Sequence, residues 1–238
     1  MVSHASLTAA ADLATTFLPS GLDVLIVNGA YVNRETAFLS PTDYSSASQA
    51  KLLHDDMHAS LDTNVLGVVY SINAFLPLVL KGSVKKIIVT STGMADADLS
   101  LDGLTAQVAY SSMKAALNMV VAKFATELRP KGVMTLALCP GVVQTRETAR
   151  ESLLLSCPTI DTGILICLMD KDNNWTIATE EEIQNYQALG EIFLRKYPHW
   201  KGPYSPIQSI EYQMKVIDGL KIEDSGKFLS HHGNKNWL

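Results

Sequence analysis

The feature that most constrains this chain is a set of three short apolar runs, the first two followed by polar residues and a long helical stretch. The runs are Asp23-Val24-Leu25-Ile26-Val27-Asn28, Lys86-Ile87-Ile88-Val89-Thr90-Ser91 and Val133-Met134-Thr135-Leu136-Ala137-Leu138. Continuous apolar runs of this length suit strands buried on both faces of a parallel sheet. Apolar spacing predicts helices over residues 44–60, 61–80 and 109–129, the last ended by Pro130 and Gly132. Another helix is predicted over 4–18, with Ser3 or Ser6 as its cap. Strands alternating with long helices imply an α/β fold, a doubly wound parallel sheet with helices on both faces. Ligands of such sheets bind beyond the carboxyl ends of the strands. Asn28, Ser91 with Thr92, and the segment from Pro140 onward are therefore the positions to weigh.

Past residue 146 the pattern weakens. Ser152 to Met169 is apolar without clear period, and Asp170 to Trp175 reads as a polar turn. An amphipathic helix is predicted over 179–196, with Thr179 and Glu182 as a capping box. Pro198, Pro203 and Pro206 mark a loop, residues 206–219 a helix, and 226–230 a last short strand. The 238 residues are expected to form one domain, 1–238, with 146–206 as a substrate-lid or insert region.

Several function classes recede on composition. The net charge is −5, from 19 basic and 24 acidic residues, and no basic run exceeds Lys85-Lys86. A nucleic-acid platform would show a basic stripe. The 3 cysteines, Cys139, Cys157 and Cys167, form no CxxC pair, which fits a reducing, cytoplasmic setting. No Lys or Arg precedes Arg34, so the N-terminus reads as neither a secretory signal nor a transit peptide. Thr63 to Leu80 carries no charge, but Asn64, Ser71, Asn73 and Pro77 favour a buried helix over a membrane span. His54 and His58 have zinc-ligand spacing without a third ligand, so a solvated helix face is expected and no metal.

The chemistry-bearing candidate is Tyr110-Ser111-Ser112-Met113-Lys114, at the start of a predicted helix. Residues four apart share a helix face. A lysine ammonium there would lower the tyrosine pKa and make a general acid usable near neutral pH. Spacing alone is weak, since Tyr197 and Lys201 repeat it in a proline-rich loop. The first pair gains weight because it follows a strand that ends in hydroxyls, Ser91 and Thr92, either of which could orient a substrate carbonyl.

These residues lead to a resemblance. The chain resembles the short-chain dehydrogenase/reductase family. Asp23 to Ala30 is similar to the family's Asn-Asn-Ala-Gly strand motif, with Asn28 the clean match, and Asn64-Val65-Leu66-Gly67 to its Asn-Val-x-Gly helix motif. Ser91-Thr92-Gly93 stands in the catalytic serine region, and Tyr110 with Lys114 matches the active-site pair. Pro140-Gly141-Val142-Val143-Gln144-Thr145 matches the Pro-Gly-x-Val-x-Thr segment that closes over nicotinamide. Ser91 to Asp96 and the tail Leu229 to Lys235 further resemble fungal members, many of which serve secondary metabolism.

The resemblance implies a Rossmann-like sheet and an NADP- or NAD-dependent enzyme that interconverts a ketone and a secondary alcohol on a small secondary metabolite. It implies that Tyr110 exchanges the proton at the substrate oxygen. Lys114 would hold the nicotinamide ribose and lower the Tyr110 pKa. Ser91 would polarise the carbonyl, with Thr92 its rival. Asn64 would keep a relay water, while Asn28, Val143 and Thr145 line the cofactor. It also implies a homo-oligomer assembled on helices 61–80 and 109–129.

The family opens with a strand, a glycine-rich turn and a helix that cradle a pyrophosphate. The 14 glycines here never fall closer than the spacing of Gly219, Gly226 and Gly233. The expectation is an N-terminally truncated chain with an incomplete sheet. A non-catalytic or non-redox homologue, such as a partner subunit, isomerase or dehydratase, is the competing reading.

Overall fold

A computed structural model describes residues 3–144, 167–169, 175–177 and 180–238. The chain opens with α1 (His4–Phe17), whose N-cap Ser3 accepts from the Ser6 N–H at 3.2 Å. Strand β1 (Val24–Val27) follows. Helix α2 (Ala47–Leu61) passes through a π-helical turn (Asp62–Leu66) into α3 (Gly67–Lys81). Next come β2 (Lys86–Thr90), the short α4 (Ala97–Leu101), the long α5 (Val108–Leu128) and β3 (Met134–Cys139). Two short strands, β4 (Cys167–Met169) and β5 (Trp175–Ile177), pair antiparallel in a stretch whose sequence shows no strand alternation. Helix α6 (Glu180–Lys196), helix α7 (Pro206–Gly219) and β6 (Phe228–Ser230) complete the chain.

Among the described residues, a four-stranded parallel sheet runs in the order β1-β2-β3-β6. Ile87 lies opposite Leu25 and Thr135, and Val89 opposite Val27 and Ala137. Alternation along β2 serves two cores. Ile87 and Val89 pack with Val68, Ile72, Leu117, Val121 and Leu128 from α3 and α5. Ile88, with Leu136 and Leu138, packs on Ile217 and Leu220 at the other face. This two-sided covering is the doubly wound α/β architecture, and β2 is buried from Lys86 to Val89 because it lies between layers.

The covering stops at β1. This strand is an edge of the sheet, and Ile26, on the same face as Ile88, is 52% exposed where the covering by α7 runs out. The helical stretch Ala47–Lys81 is long and apolar enough, by length and composition, to cross a membrane. Its Val68, Ile72 and Val79 belong to the core beneath the sheet. An aromatic cluster lies apart from both sheet cores. It joins Phe193 of α6 to Leu99, Leu104, Cys139 and Trp237. Thr145, most of the stretch 152–169, and the Thr179 cap lie outside the described residues.

Candidate active site

The candidate residues meet where β2 and β3 end. Alternation sends each residue at the end of β2 to a different neighbour. Thr90 donates its hydroxyl to Asn28 Oδ1 at 2.7 Å, while its carbonyl accepts from Lys114 Nζ at 2.8 Å. Ser91 is buried and donates to Asn118 Oδ1 of α5 at 2.7 Å. Thr92 continues in extended conformation and caps the 3-10 turn Gly93–Ala95, its Oγ1 accepting from the Met94 N–H at 3.3 Å. Thr92 also lies near Tyr110, where its hydroxyl favours the phenolate. The two hydroxyls weighed as alternatives are thereby separated. Ser91 is bonded to Asn118, further along α5 than Tyr110, while the next residue along the strand lies near the tyrosine.

Helix α5 supplies the other half. It begins after Gln107, a non-glycine residue in the left-handed region at φ 58°. Tyr110 sits in the first turn and Lys114 one turn later, with Lys114 Nζ 6.0 Å from the centre of the Tyr110 ring. Lys114 is fully buried, and burial depresses its ammonium to about 8. Burial pushes the Tyr110 phenol up to about 12, aided by the nearby Cys139 thiol and opposed by the Thr92 hydroxyl. The expected lowering by the lysine is therefore reversed. Desolvation disfavours both charged forms and outweighs whatever the ammonium contributes. The phenol is protonated at neutral pH.

At the end of β3, Cys139 Sγ accepts from the Gly93 N–H at 3.1 Å and the Gly141 N–H at 3.4 Å. Burial pushes this thiol up to about 11, so it acts as a neutral acceptor that ties two loops together. Gly141 has φ 80°, and a side chain there would meet His231 Cε1 at 2.7 Å. His231 follows β6, is buried, and offers two ring nitrogens without a hydrogen-bond partner among the described residues. Val143 bridges Tyr204 in parallel, with Gln144 N donating to Tyr204 O at 2.8 Å.

Asn64 occupies the π-helical turn and is fully buried. Its amide exchanges two bonds with the Tyr31 backbone, at 2.8 and 2.9 Å. The side chain thus fixes the loop after β1. A relay water would have to be held through another group of this turn. His54 and His58 lie on an exposed helix face with their Nε2 atoms 3.1 Å apart, and no cluster of three metal-ligating side chains occurs among the described residues. His199 is exposed, while Trp200 packs edge-on against Phe193 at 5.4 Å. Sequence reasoning missed the roles of Cys139, His231 and Trp237, each made by partners distant in the chain.

The family model of short chain dehydrogenases matches residues 2–153. The chain belongs to this family. The short-chain dehydrogenase/reductase atnB of Arthrinium sp is 35% identical over 91% of this chain and 71% of its own length. The short chain dehydrogenase virK of Hypocrea virens is 34% identical over 91% of this chain and 70% of its own. Among solved structures, the NADPH-bound carbonyl reductase from chicken fatty liver superposes with a TM-score of 0.62 at 24% identity. It covers 98% of this chain and 73% of its own. The carbonyl reductase Sniffer of D. melanogaster gives 0.63 at 18%, with the same coverage, so the fold is that of these Rossmann-type reductases.

Proposed function

We propose that this short-chain dehydrogenase interconverts a ketone and a secondary alcohol on a small secondary metabolite, with NADP(H) or NAD(H) as cofactor. One observation carries the reading: Tyr110, with Thr92 near it and a buried Lys114 one helical turn later, at the carboxyl ends of β2 and β3. The neutral phenol is the form that can give its proton to a carbonyl oxygen as that oxygen becomes an alkoxide, and the Lys114 ammonium would favour the phenolate left behind. The Thr92 hydroxyl lies beside it to orient the same oxygen and to stabilise the phenolate that remains.

The donor set fits a nicotinamide ribose. Lys114 has one hydrogen bond among the described residues, to Thr90 O. An ammonium has three N–H donors, so two are left for ribose hydroxyls. Asn28, joined to the same Thr90, and Val143, on the loop after β3, would line the cofactor. When bound, the nicotinamide supplies or removes the hydride. Relatives named as short-chain dehydrogenases support the oxidoreductase class.

The test is a fluorescence titration of the chain with NADPH and NADH, run beside circular dichroism, followed by a ketone screen. Saturable binding and ketone reduction that Tyr110→Phe abolishes are expected. A folded chain that takes up neither nucleotide would overturn the redox reading in favour of a partner or non-redox role.

A further inference from the structure

The turn that carries Thr92 is gripped from two directions. Cys139 Sγ holds the Gly93 amide from the floor of the sheet at 3.1 Å. The C-terminal tail holds the other side. Trp237 is 3% exposed, and its side chain lies so close to Gly93 that a methyl group there would meet Trp237 Cβ and Cγ at 2.9 Å. The indole stacks on Phe228 at 4.4 Å, and Trp237 N donates to Tyr197 Oη at 3.4 Å. Two residues earlier, Lys235 Nζ reaches Asp96 Oδ2, at the far end of the same turn, at 3.4 Å. Gly93 and Asp96 flank a turn whose first hydroxyl is that of Thr92.

We propose that Trp237 is a positioning residue for Thr92: its indole fills the space beside Gly93 and so holds Thr92 in place next to Tyr110. The proposal rests on the reading of Thr92 given above. The mechanism is steric. Gly93 has no side chain of its own to fix the turn, and the indole occupies the volume a side chain would take. Removing it leaves a void that neighbouring backbone relaxes into only partly. The residue next to Gly93 in the chain is Thr92, and a misplacement of about 1 Å in such a group costs up to about 10²-fold in rate.

The experiment has two arms, using the full chain. In the first, amide exchange is measured without substrate or cofactor. Trp237→Leu should speed exchange at Gly93 and Met94 well beyond that at Val89, and Trp237→Phe should restore most of the protection. Acceleration spread evenly over the chain would reduce Trp237 to general packing and overturn the proposal. In the second arm, kcat is compared for Trp237→Leu, Thr92→Ala and the double variant. Trp237→Leu should lower kcat by about 10- to 10²-fold with KM little changed. It should add nothing once Thr92 is alanine. A loss of the same factor in both backgrounds would overturn the proposal while leaving the role of Thr92 intact. A Thr92→Ala chain that turns over at the parental rate would instead overturn the role of Thr92, and this inference with it. Where Trp237→Leu does not fold, Trp237→Met, which also removes the ring, carries both arms.

Discussion

The two ends of strand β2 each bury a lysine, and the two lysines are treated differently. At the amino end, Lys86 Nζ donates to Ile217 O at 2.7 Å and Asp218 O at 3.2 Å, the carbonyls that close α7. A cation at a helix carboxyl terminus meets both unpaired carbonyls and the negative end of the helix dipole. That ammonium staples the sheet to its covering helix. At the carboxyl end, Lys114 is more deeply buried, yet it has one acceptor among the described residues and its ammonium is depressed to about 8. Satisfaction marks the structural end of the strand, and a shortfall marks the end with chemistry to do. The same contrast recurs at the end of β6, where His231 is buried with both ring nitrogens unpartnered among the described residues.

The most damaging way to probe the chemical end is Tyr110→Phe. It removes the proton donor and should lower kcat by about 10²- to 10⁴-fold, with the fold unchanged by circular dichroism. Tyr197→Phe, at the tyrosine of the pair repeated in the proline-rich loop, takes no proton donor from the site and should cost far less. Equal activity in the two variants would remove the site assignment.

The lysines then give a crossed pair. Lys114→Met should lower kcat/KM on the order of 10²-fold, because ribose and phenolate lose their cation. Its unfolding midpoint should not fall below the parent's, since a buried, under-satisfied charge is replaced by an apolar chain of similar volume. Lys86→Met should do the reverse. Activity stays near parental, while stability drops by about 1–3 kcal/mol as Ile217 O and Asp218 O lose their donor. Urea titrations and steady-state rates on both variants decide it. A Lys114→Met chain less stable than Lys86→Met would break the comparison.

The fold was largely legible because burial of parallel strands writes itself into composition. The runs at Val24–Val27, Lys86–Thr90 and Met134–Cys139, and the helices between them, follow from apolar spacing alone. The β4–β5 pair was not legible, because Cys167-Leu168-Met169 lies in an apolar stretch with no alternation to distinguish it. At the site, residue types were legible and their environments were not. Tyr110 and Lys114 stand out by spacing, but spacing carries no measure of burial, and burial reverses the expected shift of the phenol. Ser91 and Thr92 are adjacent hydroxyls, and only the strand register turns one onto Asn118 and leaves the other near Tyr110. Cys139 stands out in the sequence only as one of three cysteines outside any CxxC pair. Its acceptor role depends on Gly93, brought beside it by the sheet.

His231 extends the comparison to pH. Burial, with His232 second, depresses its imidazole to about 4 from an ordinary 6.5. Between those values the unfolded chain binds a proton that the folded chain does not. Stability is therefore whole above pH 6.5 and is lost as pH falls, with the loss complete near pH 4. The steepest slope from this one group is about 1.4 kcal/mol per pH unit. His231→Phe should flatten that slope in urea titrations between pH 4 and 7. A slope unchanged in the variant would mean that the acid sensitivity arises elsewhere.

Gly141 tests the same contact from the loop after β3, with a smaller effect. Its φ of 80° suits glycine, and an added methyl would meet His231 Cε1 at 2.7 Å and Nδ1 at 2.9 Å. Gly141→Ala should destabilise by about 1–3 kcal/mol, from the left-handed backbone and from displacement of the ring. The two causes separate in a double variant. With His231→Ala the methyl gains room and only the backbone cost of about 1 kcal/mol persists, so the cycle should show coupling. Additive losses would mean that ring and loop are not in energetic contact. The imidazole would then be buried for the sake of Tyr204 and Tyr212, the rings it meets edge-on at 4.9 and 5.7 Å.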